Sequence, residues 1–328
     1  MVTLREIAAA VGVSSATVSR VLNYDMTLSI STRKRQAIIE TAEALNYSTP
    51  RNRNRANQQQ GLIKVALVHF LAPERELVDP YYVAMRLGIE RRCAALKIET
   101  VKVYHTDARP DANLLQDASG TIVIGRHDED EIDWLRHHCR QIVFADHVPP
   151  DDDIDSVSAD LWSAMEKLLA ALSQRGYRRI AYIGWGDRRA QAFVHWMTAA
   201  GWFDDRLFRS GDNTEEGGYR LTRDLLADRR PFDAIVTFND SMAIGAYRAI
   251  HERGLTIPGD IGVASFNDIS VAQFLNPPLT TVHLPAEEIG EAAIELLLER
   301  VGGRDLAKQI TLASKLVWRA STRQPVEK

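Results

Sequence analysis

From Leu62 onward, apolar β-branched runs alternate with amphipathic helical segments, and the alternation occurs twice. The first set reads "LIKVALVHF", a helix through "YYVAMRLGIERRCAALK", "IETVKVY", "GTIVIG", a helix near 129–139 and "QIVFAD". Near-continuous apolar strands joined through helices specify a parallel sheet covered on both faces. The second set begins with the helix "ADLWSAMEKLLAALSQRG", the strand "RRIAYIG" and helices through "AQAFVHWMTAAG" and "EEGGYRLTRDLLAD". It continues with the strand "DAIVTF", the helix "DSMAIGAYRAIHERG" and the strand "DIGVASF". Two similar α/β lobes are expected, with ligands at the carboxyl ends of their strands. A length of 328 residues, 45% hydrophobic and 26% charged, suits two or three globular cores.

The opening "VTLREIAAAVGVSSATVSRVLN" belongs to neither lobe. Thr3 and Glu6 form a capping box, and Leu4, Ile7, Ala8 and Val11 recur at helical spacing, so a first helix runs to about Val11. Gly12 breaks it. Ser14 caps a second helix, "SATVSRVLN", with Val18, Val21 and Leu22 turned inward. Ser31 caps a third, "TRKRQAIIETAEALNY", whose Ile38, Ala42 and Leu45 close a three-helix bundle. The first two helices read as a helix-turn-helix. On the second, the outer face carries Ser15, Ala16, Thr17, Ser19 and Arg20, short groups plus one guanidinium that fit a major groove and reach phosphates and a guanine edge. A merely solvated helix more often carries Glu and Lys there.

After Pro50, "PRNRNRANQQQ" supplies Arg51, Arg53 and Arg55 with no acidic residue, a segment that either lies free in solvent or orders against DNA. Residues 1–60 hold eight Lys/Arg against four Asp/Glu, a surplus of +4 within a formal charge of -4, which leaves -8 for the rest. A basic head on an acidic body points to an anionic partner for the head alone. Cys93 and Cys139 are the only cysteines, which excludes a disulfide framework or a Cys-based metal site. Arg5 and Glu6 interrupt the apolar positions near the start, and no apolar run reaches membrane length, so a soluble cytoplasmic protein without a membrane partner is expected.

The head "TLREIAAAVGVSSATVSRVLN", the block "FNDSMAIGAYRAIHERGLTIPGDIGVASFND" and "PPLTTVHL" together resemble the LacI/GalR family of bacterial transcription repressors over nearly the whole chain. Within it, "DPYYVAMRLGIERRCAALKIE" and the shortened segment before "GTIVIG" are most similar to a β-galactosidase-operon branch, which favours a galactoside as effector. The resemblance implies an α/β protein with a three-helix helix-turn-helix head, a hinge and two doubly wound parallel lobes of periplasmic-binding-protein type. Its boundaries would be a DNA-binding domain at 1–47, a basic hinge at 48–60 and an effector-binding and dimerisation domain at 61–328. The N-lobe would comprise about 61–158 plus 286–311 and the C-lobe about 159–285 plus 312–325. The implied partners are operator DNA, a sugar between the lobes and a second copy of the chain; no cofactor is implied. With no leucine heptads before "STRQPVEK", a dimer is expected and a tail-mediated tetramer has no basis.

Carried over residue by residue, base reading falls on Ser15 and Ala16, a further groove contact on Arg20, and phosphate contacts on Thr3, Thr17, Ser19 and Asn23. An arginine–guanine pair supplies about 1–3 kcal/mol of discrimination, so most direct readout is assigned to Arg20. The hinge departs from the family, because no leucine or other bulky apolar residue stands between Tyr47 and Leu62 to wedge into a minor groove. Arg51, Arg53 and Arg55 either read minor-groove shape in its place or form an unstructured basic tether. For the sugar, the implied contacts are Asp146 after "QIVFA", Arg189 after "RRIAYIG", Asn239 and Asp240 after "DAIVTF", and Asn267 and Asp268 after "DIGVASF". Arg189 offers a fork for two hydroxyls. Asn267 stands where the family often carries aspartate, and Asp79, Tyr81 and Trp185 are added as rim groups. Asp240 reads equally as a helix N-cap, and Asp268 as a structural cap.

Other patterns read as structural. His137, His138 and Cys139 in "RHHCR" point in different directions from a helix end, "DDDID" at 151–155 reads as a solvated loop, and "GWGDRR" lacks the third glycine of a dinucleotide fingerprint. No nucleophile elbow or phosphate loop occurs, so no enzyme is expected. The alternative function is a two-lobed sugar-binding protein without regulatory DNA binding, against which the DNA-reading head and the missing signal peptide both count.

Overall fold

The computed structural model describes residues 4–22, 28, 30–44, 64–104, 112–228 and 230–325. Thr3, Asn23, Arg51, Arg53 and Arg55, with the whole 48–60 hinge, lie outside the described residues.

The head is three helices, α1 (Leu4–Val11), α2 (Ser15–Leu22) and α3 (Thr32–Ala44). Ile7, Ala8, Val18, Val21, Ile38 and Ala42 form its core, with Leu22 only partly buried. Gly12 turns the chain at φ +69°, where a side chain would be strained, and the Thr17 amide donates to Ser14 Oγ at 3.1 Å to cap α2.

The body holds two six-stranded sheets. The first is built from β1 (Lys64–His69), β2 (Glu99–Tyr104), β3 (Gly120–Ile124), β4 (Ile142–Ala145), β5 (Asp155–Ala159) and β11 (Gln309–Leu312), in the order β11-β5-β4-β3-β1-β2 and parallel throughout. The second comprises β6 (Ile180–Gly184), β7 (Phe208–Ser210), β8 (Ala234–Thr237), β9 (Gly262–Asn267), β10 (Thr280–His283) and β12 (Lys315–Val317), ordered β12-β10-β9-β8-β6-β7, with only edge strand β12 antiparallel.

In the first lobe the helices are α4 (Pro73–Leu77), α5 (Pro80–Ala95), α6 (Ala112–Gln116) and α7 (Glu129–His138). The second lobe has α8 (Leu161–Gln174), α9 (Arg188–Ala199), α10 (Glu215–Ala227) and α11 (Asp240–Glu252). A last helix, α12 (Ala286–Val301), follows β10 in sequence but returns to pack on α5 and on β3, β4 and β5. The chain therefore crosses between lobes three times, after Ala159, after His283 and after Leu312.

Among the described residues, helices meet backbone to backbone at glycines in both lobes. A Cβ on Gly88 of α5 would overlap the Glu287 carbonyl, one on Gly290 of α12 the Met85 carbonyl, and one on Gly245 of α11 the Glu215 carbonyl of α10. Close approach is the reason for glycine at these sites.

The reading of "DDDID" as a solvated loop needs correction. Asp151 and Asp153 do pair with Arg136 near the surface, each at 2.8 Å, but Asp155 is the first residue of β5 and is fully buried. Its carboxylate receives Arg300 at 2.8 Å, Arg304 at 2.6 Å and the Lys308 amide at 2.6 Å. These donors hold its pKa below the ordinary carboxylate value despite burial.

Candidate ligand cleft and nucleic-acid interface

The carboxyl ends of the strands bring most of the expected ligand residues together. Asp146 follows β4 in the left-handed region at φ +66°. Tyr81 Oη donates to its Oδ1 at 2.7 Å and Tyr82 Oη to its Oδ2 at 3.0 Å, so both oxygens are oriented by phenols from one turn of α5. That turn is fixed by Asp79, the N-cap, whose Oδ1 accepts the amides of Tyr81 and Tyr82. Burial raises the Asp146 carboxyl to about 6, against the pull of the two phenols and Arg189. The phenols are themselves pushed up, first by burial and then by Asp146.

Arg189 approaches from the second lobe, at the start of α9. Asp187 caps that helix, accepting the Arg189 amide at 2.8 Å, and also takes Nε at 2.8 Å and Nη2 at 2.8 Å. Nη1 donates to the Phe238 carbonyl at 2.9 Å, and the guanidinium lies 3.6 Å from the centroid of the Phe238 ring. Burial pushes its pKa down, but Asp187, together with Tyr182 and Asp146, raises it on balance. Of the five N–H donors on a guanidinium, these contacts use three and leave two for a ligand. Arg189 is only 7% exposed and held rigidly, as a preorganised donor requires.

The remaining residues divide by role. Asn239 is buried; its Oδ1 caps α11 by accepting the Met242 amide at 2.9 Å, while Nδ2 donates to the Asn213 carbonyl at 3.1 Å. The N-cap reading of Asp240 is thereby corrected. Asp240 sits one residue further on, fully buried, and accepts Thr281 Oγ1 at 2.7 Å and the Ile269 amide at 2.8 Å. Burial raises its carboxyl to about 7. Asp268 is no cap either, because it pairs with Arg319 at 2.7 Å and lies 3.4 Å from His283 Nδ1. It and Asn267 take successive positive φ angles, +59° and +107°, at the corner after β9. Two rim assignments also change: Tyr81 is buried at 6% exposure, and the Asp79 carboxylate is engaged in capping. Trp185 is 55% exposed and its carbonyl accepts Tyr182 Oη at 3.1 Å.

Sequence reasoning missed Tyr82, Asp187, Phe238 and Asn213. Asn213 follows β7 and its Oδ1 is buried without a partner among the described residues, although its backbone carbonyl is used by Asn239. His137 and His138 each hydrogen-bond back along α7, to the carbonyls of Asp133 and Trp134, and no group of three metal-ligating side chains occurs among the described residues.

On the head, Ala16 and Arg20 are exposed on the outer face of α2, with Ser15, Thr17 and Ser19 partly exposed beside them. Thr17 Oγ1 lies 2.8 Å from Ser14 Oγ, which fixes the start of the helix. No helix among the described residues is long and apolar enough to cross a membrane.

Known families match both the head and the body of the chain. The family described as bacterial regulatory proteins, lacI family, matches residues 3–50, and a periplasmic binding protein-like domain matches residues 169–322. The HTH-type transcriptional repressor MelR of Bacillus subtilis (strain 168) is 33% identical, with 98% of this chain and 97% of the relative aligned. The lactose operon repressor of Rhizobium radiobacter is 59% identical over 111 residues, covering 34% of this chain and 97% of that sequence. Among solved structures, a transcriptional regulator CelR-cellobiose complex is similar at TM-score 0.72 and 25% identity, covering 98% of this chain and 100% of the other.

Proposed function

Because the chain belongs to the LacI family of bacterial transcriptional regulators, we propose that it represses a sugar-utilisation operon and is released by a galactoside bound between its lobes. This reading divides the chain into a DNA-reading head (1–47), a basic hinge (48–60) and a two-lobed receptor (61–328), working as a homodimer on a pseudo-palindromic operator. Ser15, Ala16, Thr17, Ser19 and Arg20 enter the major groove, supported by Thr3, Asn23 and the hinge arginines. Asp146, Arg189, Asn239 and Asn267 contact the sugar, with Trp185 at the rim and Asp79 and Tyr81 holding Asp146 in place from behind.

The observation that carries the reading is the juxtaposition of Asp146, oriented by two phenols on one lobe, with Arg189, oriented by Asp187 on the other. An acceptor and a donor fork facing each other from separate lobes suit vicinal hydroxyls, and a sugar bound to both favours one spacing of the lobes. The 59% identical stretch of a lactose operon repressor supports a galactoside as the sugar.

The test is binding of the full-length protein to DNA upstream of its own gene, with and without galactose, methyl β-galactoside, lactose, melibiose and cellobiose. Specific binding abolished by a galactoside is expected. Tight sugar binding with no binding to DNA would overturn the repressor reading in favour of a simple sugar-binding protein.

A further inference from the structure

Resting on the sugar-responsive reading above, we propose that Glu76 is a positioning residue for the ligand cleft. It clamps helix α4 onto the first sheet, and through the contacts that run on from α4 it fixes where Asp146 presents its oxygens.

Helix α4 has an inverted pattern of burial. Glu76 is the one buried residue among its five, at 1% exposure, whereas Leu77 is 72% exposed and the following Val78 71%. Apolar burial therefore does not hold this helix in place, and the Glu76 carboxylate does. Arg86 of α5 donates to its Oε1 through Nε, and Tyr104 at the end of β2 donates to its Oε2 at 2.8 Å. His69, the last residue of β1, accepts the Leu71 amide on Nδ1 at 3.0 Å. Burial lowers the pKa of this ring to about 4, so its single proton is on Nε2, 3.8 Å from Glu76 Oε1. One carboxylate thus ties α4 to α5 and to two strands. A buried ion pair is a weak source of net stability, and its best attested use is to select one arrangement of the chain.

That arrangement leads to the cleft in three steps. The backbone carbonyl of Glu76 accepts the Asp79 amide at 2.9 Å. Asp79 Oδ1 in turn accepts the amide of Tyr81 at 3.1 Å and that of Tyr82 at 3.5 Å. The two phenols then orient the two oxygens of Asp146. Packing adds a second route, because the rings of His69 and Phe70 meet Tyr82 edge-on, with centroids 5.6 Å and 4.9 Å away. Binding groups must be held to within about 0.5 Å of their productive geometry, so a loosened α4 weakens the hydrogen bonds that a ligand makes to Asp146.

The experiment is calorimetric titration of the full-length protein with galactose and lactose, on the parent, Glu76→Ala, Glu76→Gln and Tyr104→Phe. Glu76→Ala is also made in a Tyr81→Phe/Tyr82→Phe background, where the relay to Asp146 is cut, and operator binding without sugar checks that each variant is folded. Arg86 keeps Glu90 at 3.0 Å, so alanine at 76 does not strand its charge. Glutamine keeps an acceptor for Arg86 and a partner for the Tyr104 hydroxyl. Glu76→Ala is expected to lose about ten-fold in affinity, Tyr104→Phe about three-fold, and Glu76→Gln no more than about three-fold. In the background with the relay cut, the loss on Glu76→Ala should shrink to about two-fold or less. An equal loss in both backgrounds would make the role of Glu76 purely structural and overturn the inference. Unchanged affinity in both Glu76→Ala and Tyr104→Phe, or a ten-fold loss in Glu76→Gln, would overturn it too, and each of these results leaves sugar sensing intact. Failure of both sugars to bind the parent would remove the sugar-responsive reading and this inference with it.

Discussion

Asp146→Asn should make the protein more stable and less responsive. In the parent the carboxyl is raised by burial from 3.8 to about 6. At about 1.36 kcal/mol per pH unit, that is about 3 kcal/mol of destabilisation once the group is ionised in both folded and unfolded chains. Between about pH 4 and 6 the folded form retains a proton that the unfolded form has lost, so stability falls as pH rises through that window. Above it the full cost is present; below it the cost vanishes. Asparagine keeps the shape, accepts one phenol through Oδ1 and donates to the other through Nδ2, without a charge to bury. Thermal melts should therefore show the variant more stable by roughly 2–3 kcal/mol at pH 7.5, at roughly 2–4 °C per kcal/mol for a chain of this size, and equal to the parent near pH 4. Sugar affinity should drop by at least about ten-fold, the value of one charge-assisted hydrogen bond. A stability difference that is independent of pH, or a variant less stable than the parent at pH 7.5, would refute the assignment of a buried, ionised Asp146.

Three further outcomes follow from the same geometry. Arg189→Lys should lose about ten- to a hundred-fold in sugar affinity, because an ammonium cannot serve Asp187, the Phe238 carbonyl and a ligand together, while operator binding without sugar stays unchanged by gel shift. Arg20→Ala should cost about 1–3 kcal/mol of operator affinity and relax selectivity at one base pair, read by binding to a set of singly substituted operators. Asp155→Ala should destabilise the protein by about 3–5 kcal/mol in denaturant titrations at neutral pH, because it strands Arg300 and Arg304. Its pKa is depressed, so this contribution is present above the unfolded value and disappears as pH falls through the folded one.

The lobes were legible because their strands are long apolar runs and most of their helices carry strong periodicity. What escaped were elements whose place depends on packing. No local pattern marks β11 and β12, which are short edge strands, and the assignment of 286–311 to the first lobe comes from the family resemblance, since helix α12 follows β10 in sequence yet packs on the other lobe's sheet. In the site, a strand end marked Asp146, but nothing in "PYY" tells that both phenols turn toward one carboxylate. Asp187 looked like part of a glycine-rich turn, although the register that makes it the cap of α9 also makes it the partner of Arg189. The run "DDDID" has no periodicity, so only the pairing of β5 with β4 and β11 reveals which carboxylate faces inward. Asp240 reads as the cap of α11, but the helix starts one residue earlier than that reading requires, which makes Asn239 the cap and leaves Asp240 buried inside the first turn.

The three crossings between lobes also govern how the protein can be made. The first sheet lacks an edge strand and a covering helix until residues 286–312 have been synthesised, and the second lacks its last strand until 315–317. The head, contiguous within residues 4–44, can fold while the rest of the chain is still on the ribosome. A nascent chain halted before Leu312 thus carries a finished DNA-reading module joined to two unfinished lobes. Completion of the receptor is a single late event, shared by both lobes and dependent on the last few dozen residues.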